Sequence, residues 1–257
     1  MAPAGWGRCG PIWLMRERCS AARVPEESPR IVQAIFPRRS ANELIHSPWQ
    51  IRGQTSDMKR AAIGVRMHSG WGALVAVSNS AGKAEVIERR RIAVTTPQTP
   101  GANQPYHFAE NLELSEAEEF LGNCFEVSKR LALVAVRDVV GELFGRQYRV
   151  VGSAVLLASG RPLPPLSNIL ASHALIHAAE GEFFREAFSK ACEALDLPVT
   201  GFPERNLGEA FQTAFGKAAA RMRRQISDLG RSLGPPWTKD QKSAALAALV
   251  VLANKQR

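Results

Sequence analysis

Residues 148–158, Tyr-Arg-Val-Val-Gly-Ser-Ala-Val-Leu-Leu-Ala, form a nearly continuous apolar run. A strand with one wet face alternates apolar and polar residues. A run without alternation suits a central strand covered on both faces, which requires a layered α/β arrangement. Two shorter runs, 61–65 and 73–77, flank Arg66, His68, Ser69, Gly70 and Trp71. Bounded apolar runs of that length read as buried strands, and Ser-Gly-Trp-Gly reads as the turn between them. A third strand is expected over 84–94. The three lie close in sequence, so an antiparallel meander is the economical pairing.

Helical signals follow. Ser115 and Glu118 have capping-box spacing, and an apolar face through Leu121, Val127, Leu131, Val134 and Val139 runs to Leu143. Residues 166–195 read as a helical region broken near Ser172, 197–202 as a short strand, and 207–229 as another helix. Thr238 and Gln241 form a second capping box, opening a last helix to 253. The order β-β-β-α-β-α-β-α-α implies a mixed sheet with helices on both faces.

Residues 1–57 differ from the rest. They contain eight arginines, no lysine, five acids and prolines at 3, 11, 25, 29, 37 and 48, with no sustained apolar period. They are expected to be a disordered basic extension preceding a domain over 58–257, with Met58 as the natural start. The rival reading is an arginine-rich targeting segment. Cys9, Cys19, Cys124 and Cys192 form no C-x-x-C pair, which argues against a disulfide scaffold and a zinc ribbon. No stretch reaches the roughly 18 apolar residues of a membrane span, so the expected location is cytoplasmic. The net charge of +9 fits a polyanionic partner or simple solubility. Nucleic acid and a second copy of the chain are the partners left open, and the sequence names no cofactor.

The element order, the Ile63-Gly64-Val65 strand with its following glycine turn, and the closing Asp240-x-x-x-Ala244-Ala245-Leu246-Ala247 helix resemble the ribonuclease H-like superfold. The branch most resembled contains the Holliday-junction resolvase RuvC. The resemblance covers about 58–253 and implies a three-layer α/β domain, an antiparallel meander followed by parallel strands. It also implies an aspartate on strand one, a glutamate ending the fourth strand and one or two aspartates on the last helix. Here Arg66 stands at the first position, and Gly152-Ser153-Ala154-Val155 holds no acid. Asp240 alone matches. Two-metal cleavage needs several oxygen ligands around two cations, so the resemblance implies the scaffold and counts against its standard chemistry.

Two functions follow. One is a nucleic-acid-binding, non-canonical or inactive nuclease-like protein, contacting phosphate through Arg66, Arg161, Arg185, Arg221 and Arg224. The other is an enzyme acting on a small phosphorylated ligand, with His68, His177 and Glu180 for acid–base work; an interaction module without a site is the third reading, and Asp240 is a further candidate catalytic residue. His173, His177 and Glu180 share one helix face at i, i+4, i+7, a spacing compatible with a metal, a polar cluster or a solvated surface. No metal site is assigned. Arg66 and His68 lie two apart, hence on one strand face. On the superfold they should approach Asp240 and the His177–Glu180 face. Arg89, Arg90 and Arg91 read as a solvated strand edge. Mass spectrometry of the native protein is expected to find Met58 at the N-terminus; abundant peptides from 1–57 would overturn that expectation.

Overall fold

The computed structural model describes residues 58–80, 82–158 and 162–255, all within the unit Ser47–Arg257. The 1–57 extension and Arg161 lie outside the described residues.

Five strands, β1 (Lys59–His68), β2 (Trp71–Ser80), β3 (Lys83–Ala93), β4 (Tyr148–Leu157) and β5 (Val199–Pro203), form one sheet in the order β3-β2-β1-β4-β5. β1, β2 and β3 pair antiparallel, whereas β4 runs parallel to β1 and β5 parallel to β4. The apolar run at 148–157 is therefore an interior strand beside β1. Helices α1 (Pro105–Ala109), α2 (Leu114–Gly145), α3 (Leu166–Leu170) and α4 (His173–Glu193) precede β5. After it come α5 (Leu207–Phe215), α6 (Ala219–Asp228), α7 (Gly230–Leu233) and α8 (Lys239–Asn254). This is a three-layer, ribonuclease H-like α/β fold. No helix of the described residues is long and apolar enough to cross a membrane.

Strand parity divides the interior. Ala61, Ile63, Val65 and Met67 enter a core with Val136, Val139 and Leu143 of α2 and Phe183, Phe184 and Phe188 of α4. Ala62 points the other way, into a core with Phe211 of α5, Met222 and Ile226 of α6, and Ala244, Ala248 and Leu249 of α8. Gly64, Arg66 and His68 share the parity of Ala62 and so face α8. The α8 backbone lies directly on β1: a Cβ on Gly64 would overlap the Ala244 carbonyl oxygen and stand 3.2 Å from Ala248 Cβ.

Three local expectations change. α2 begins one residue before Ser115, with Glu113 as its cap and no side-chain capping bond. The helix expected over 207–229 is two helices, because Gly216 adopts φ 50° after α5 and a 3-10 turn, Gly216–Ala218, intervenes before α6. β3 is an edge strand with Arg91 exposed, as expected, but its arginines are partnered rather than simply solvated. The Arg89 guanidinium donates to the carbonyls of Leu233, Gly234 and Pro236 at 2.5–2.8 Å, and Arg90 pairs with Glu142 at 2.5 Å. The Arg91 guanidinium lies 4.2 Å from the centre of the Trp71 ring. Expected breaks and caps near Ser172 and Thr238 are present, the latter as a complete capping box with Gln241.

Overpacking a core costs about 1–3 kcal/mol, and at Gly64 the obstacle is backbone. Gly64→Ala is expected to cost about 3 kcal/mol or more in a denaturant titration. Gly122→Ala, at an exposed α2 position with open space around it, is expected to stabilise by about 0.5–1 kcal/mol.

Candidate functional site

Because β1, β4 and β5 are parallel, their C-terminal ends share one edge of the sheet. α8 runs antiparallel to β1, so its N-terminus reaches the same edge. Asp240 lies one turn before Ala244, and Arg66 lies two residues beyond Gly64. The Gly64–Ala244 contact thus brings the two side chains level. The Thr238 cap fixes the first turn of α8, its hydroxyl accepting from Asp240 N–H at 3.3 Å.

Arg66 donates through Nη1 to Asp240 Oδ1 at 2.5 Å and through Nε to Glu204 Oε1 at 2.7 Å. Glu204 follows β5 directly, in a 3-10 turn. The second Asp240 oxygen lies 2.9 Å from His68 Nε2. A carboxylate only accepts, so Nε2 donates in this contact. His68 stacks on Trp71, centroids 4.2 Å apart and planes 11° apart, and Arg91 covers the same indole. Lys239 Nζ stands 4.0 Å from Glu204 Oε2. Beyond Trp71 opens a polar cleft of about 470 Å³, lined by Ser69, Gly70, Arg91, Thr95 and Asn103.

The electrostatics follow from these contacts. Burial pushes the Asp240 carboxyl up, but the bonds and charges of Arg66 and His68 outweigh it and hold the group below the usual aspartate value. Arg66 is raised, chiefly by its bond to Glu204, against a smaller opposing effect of burial and with Asp240 adding to the rise. The residues do not fit the pair of divalent cations that the scaffold implies. The two carboxylates already hold the Arg66 guanidinium between them.

The remaining expected site residues lie elsewhere. His177 and Glu180 sit on α4, which packs on the opposite face of the sheet, so the expected approach to Arg66 does not occur. Parity decides this: α4 meets the Ile63 face and Arg66 the α8 face. His177 instead meets His173, Nε2 to Nε2 at 3.1 Å, and the ring of His107 at 4.7 Å between centroids. Glu180 is 3% exposed, with Oε1 2.9 Å from His107 Nδ1 and accepting from the His107 backbone N–H at 3.3 Å. Arg185 is engaged by Glu182 at 3.1 Å on α4. Arg221 and Arg224 are exposed on α6. Arg221 reaches the Gly82 turn, at the end of the sheet away from Arg66. Sequence reasoning missed Glu204, Lys239 and the partnership of His107 with Glu180. A glutamate immediately after a parallel strand's C-terminal end was the available signal for the first.

No family model matches the chain, and no curated protein matches it. Among solved structures it is similar to T. thermophilus RuvC in complex with Holliday junction substrate, at 16% identity and TM-score 0.44, covering 77% of this chain and 95% of that one. It is also similar to a second Thermus thermophilus RuvC structure, at 14% identity and TM-score 0.43, covering 76% and 95%. The fold assignment stands on the strand order and directions.

A carboxyl held low in the folded state contributes stability that is complete above its unfolded pKa, about 3.9, and is lost as pH falls through the folded value. The stability gap between the native chain and Asp240→Asn should therefore be open at about pH 6 and close as pH drops below about 4. A gap unchanged at about pH 2 would contradict the pairing. Arg66→Met removes two charge-assisted hydrogen bonds, leaving Asp240 with His68 and Glu204 with Lys239, and is expected to cost about 2 kcal/mol at neutral pH, read as a denaturant midpoint shift.

Proposed function

We propose that this chain is a nucleic-acid-binding protein on a ribonuclease H-like scaffold, in which a fixed guanidinium takes the place of catalytic metal and standard two-metal cleavage is lost. The observation that carries the reading is the Arg66 guanidinium bonded to both Asp240 and Glu204. An acid pit awaiting cations would repel a phosphate backbone until metal arrived. Here the two acids are compensated internally. Around them Arg91, Arg205 and Lys239 add positive charge, Lys239 with 78% of its side chain exposed. Trp71, with His68 stacked on its ring and Arg91 over it, walls a polar cleft where Arg91 offers its charge to a phosphate backbone.

Arg221 and Arg224, exposed on α6, would supply a second phosphate contact. Arg66 and Arg185 are committed to carboxylates, so they are assigned ion pairing rather than phosphate binding. The small-ligand alternative is less favoured, because its His68 lies across the sheet from its His177 and Glu180.

Binding to duplex, branched and single-stranded DNA, followed by fluorescence anisotropy over a salt series, tests the reading. Each phosphate neutralised contributes a slope of about −0.9 in log K against log salt on duplex DNA. Lys239→Ala combined with Arg205→Ala is expected to weaken binding about tenfold and to flatten the slope by about 2. With magnesium present, no substrate should be cut. A salt-independent affinity, or cleavage abolished by Asp240→Asn, would refute the proposal.

A further inference from the structure

The histidine group on the far side of the sheet has no place in that function, and its geometry is that of a ligand set. His173 and His177 stand one turn apart on α4, and His107 comes from α1. One nitrogen from each lies within 4.8 Å of the others. Ring centroids are 4.5, 4.7 and 5.2 Å apart. Four ligands at about 2.0–2.1 Å around a tetrahedral ion are roughly 3.3 Å from one another. The His173–His177 nitrogens, at 3.1 Å, are already near that spacing.

We propose that His107, His173 and His177 bind a divalent transition-metal ion of the zinc class, with Glu180 as the carboxylate that orients His107. Glu180 is almost wholly buried, and a buried carboxylate is costly unless a charge answers it. Among the described residues its ion-pair partner is His107, through Nδ1. A neutral imidazole answers that charge only weakly. A dication on the opposite nitrogen of His107 answers it through the ring. His107 Nδ1 stands 2.9 Å from the acid but short of hydrogen-bond alignment; in the carboxylate–histidine–metal arrangement that nitrogen would turn to the acid and Nε2 would take the metal.

The ligand set selects the metal. Three imidazoles suit zinc, copper or nickel, whereas magnesium and calcium require oxygen donors. The described cysteines, Cys124 and Cys192, are buried in the core, and burial pushes the Cys192 thiol up to about 12. Neither competes for the ion. His173 and His177 are exposed, so the fourth position faces water. Bound there, the ion ties the five-residue α1 to α4, an anchor that so short a helix does not supply for itself.

The test uses the full chain, stripped with chelator and then dialysed against zinc at about micromolar free concentration. Metal content is measured beside affinity from a competing chromophoric chelator. His173→Gln/His177→Gln alters two exposed side chains, so its fold should be retained, which circular dichroism verifies. This variant is expected to hold one equivalent less zinc than the native chain. It should also lack the visible bands of tetrahedral cobalt that the native chain shows on cobalt substitution. Glu180→Gln should keep the stoichiometry while affinity falls about 10–100-fold. Equal zinc content in the native chain and the double variant would overturn the proposal. So would a native chain that holds no zinc. Unchanged affinity in Glu180→Gln would remove the orienting role from Glu180.

Discussion

The contact between Gly64 and the Ala244 carbonyl sets the position of everything at the edge of the sheet. Any side chain at residue 64 would lift α8 off β1. With hydrogen there, the helix settles onto the strand, and the antiparallel run of the two elements places Asp240 over Arg66. β5, parallel on the far side of β4, then delivers Glu204 to the same point. A single missing methyl group thus determines whether three charged side chains from elements far apart in the sequence meet within hydrogen-bonding distance.

Much of this was legible where the governing rule is local. The unalternating run at 148–157 required cover on both faces and received it. The two-residue spacing of Arg66 and His68 put them on one face, and both reach Asp240. The capping box at Thr238 fixed where α8 starts. What was not legible depended on which face each helix chose. His177 and Glu180 looked as available to Arg66 as Asp240 did, because helical spacing says nothing about the side of the sheet on which a helix packs. Glu204 is 138 residues from Arg66 and carries no motif. His107 lies on the five-residue α1, and its meaning depends on a buried glutamate 73 residues later. At Ser115 a correct helix was found through an incorrect cap: Glu113 precedes the first turn, and the Ser-x-x-Glu pattern falls inside the helix.

The sheet separates two polar groups of different character. On the α8 face, acids are matched by fixed arginine and lysine, and the net result is a cationic rim. On the α4 face, His173 and His177 meet His107, which stands against one buried acid. Between them lie two apolar cores divided by strand parity, so the groups share no hydrogen bond, ion pair or ring contact among the described residues. Each can therefore be altered by substitution with little expected coupling to the other, as is usual for sites without shared partners.

Arg66 supplies its charge as part of the chain. A bound ion stabilises a fold in proportion to the logarithm of its free concentration relative to its dissociation constant. A guanidinium joined to the backbone has no such concentration term. It cannot be withdrawn by a chelator, exchanged for a competing ion or starved by scarcity. The edge of the sheet built around it is set at synthesis and stays the same in every ionic environment in which the chain remains folded. The cost is that nothing outside the chain can switch it on or off by loading or emptying that position.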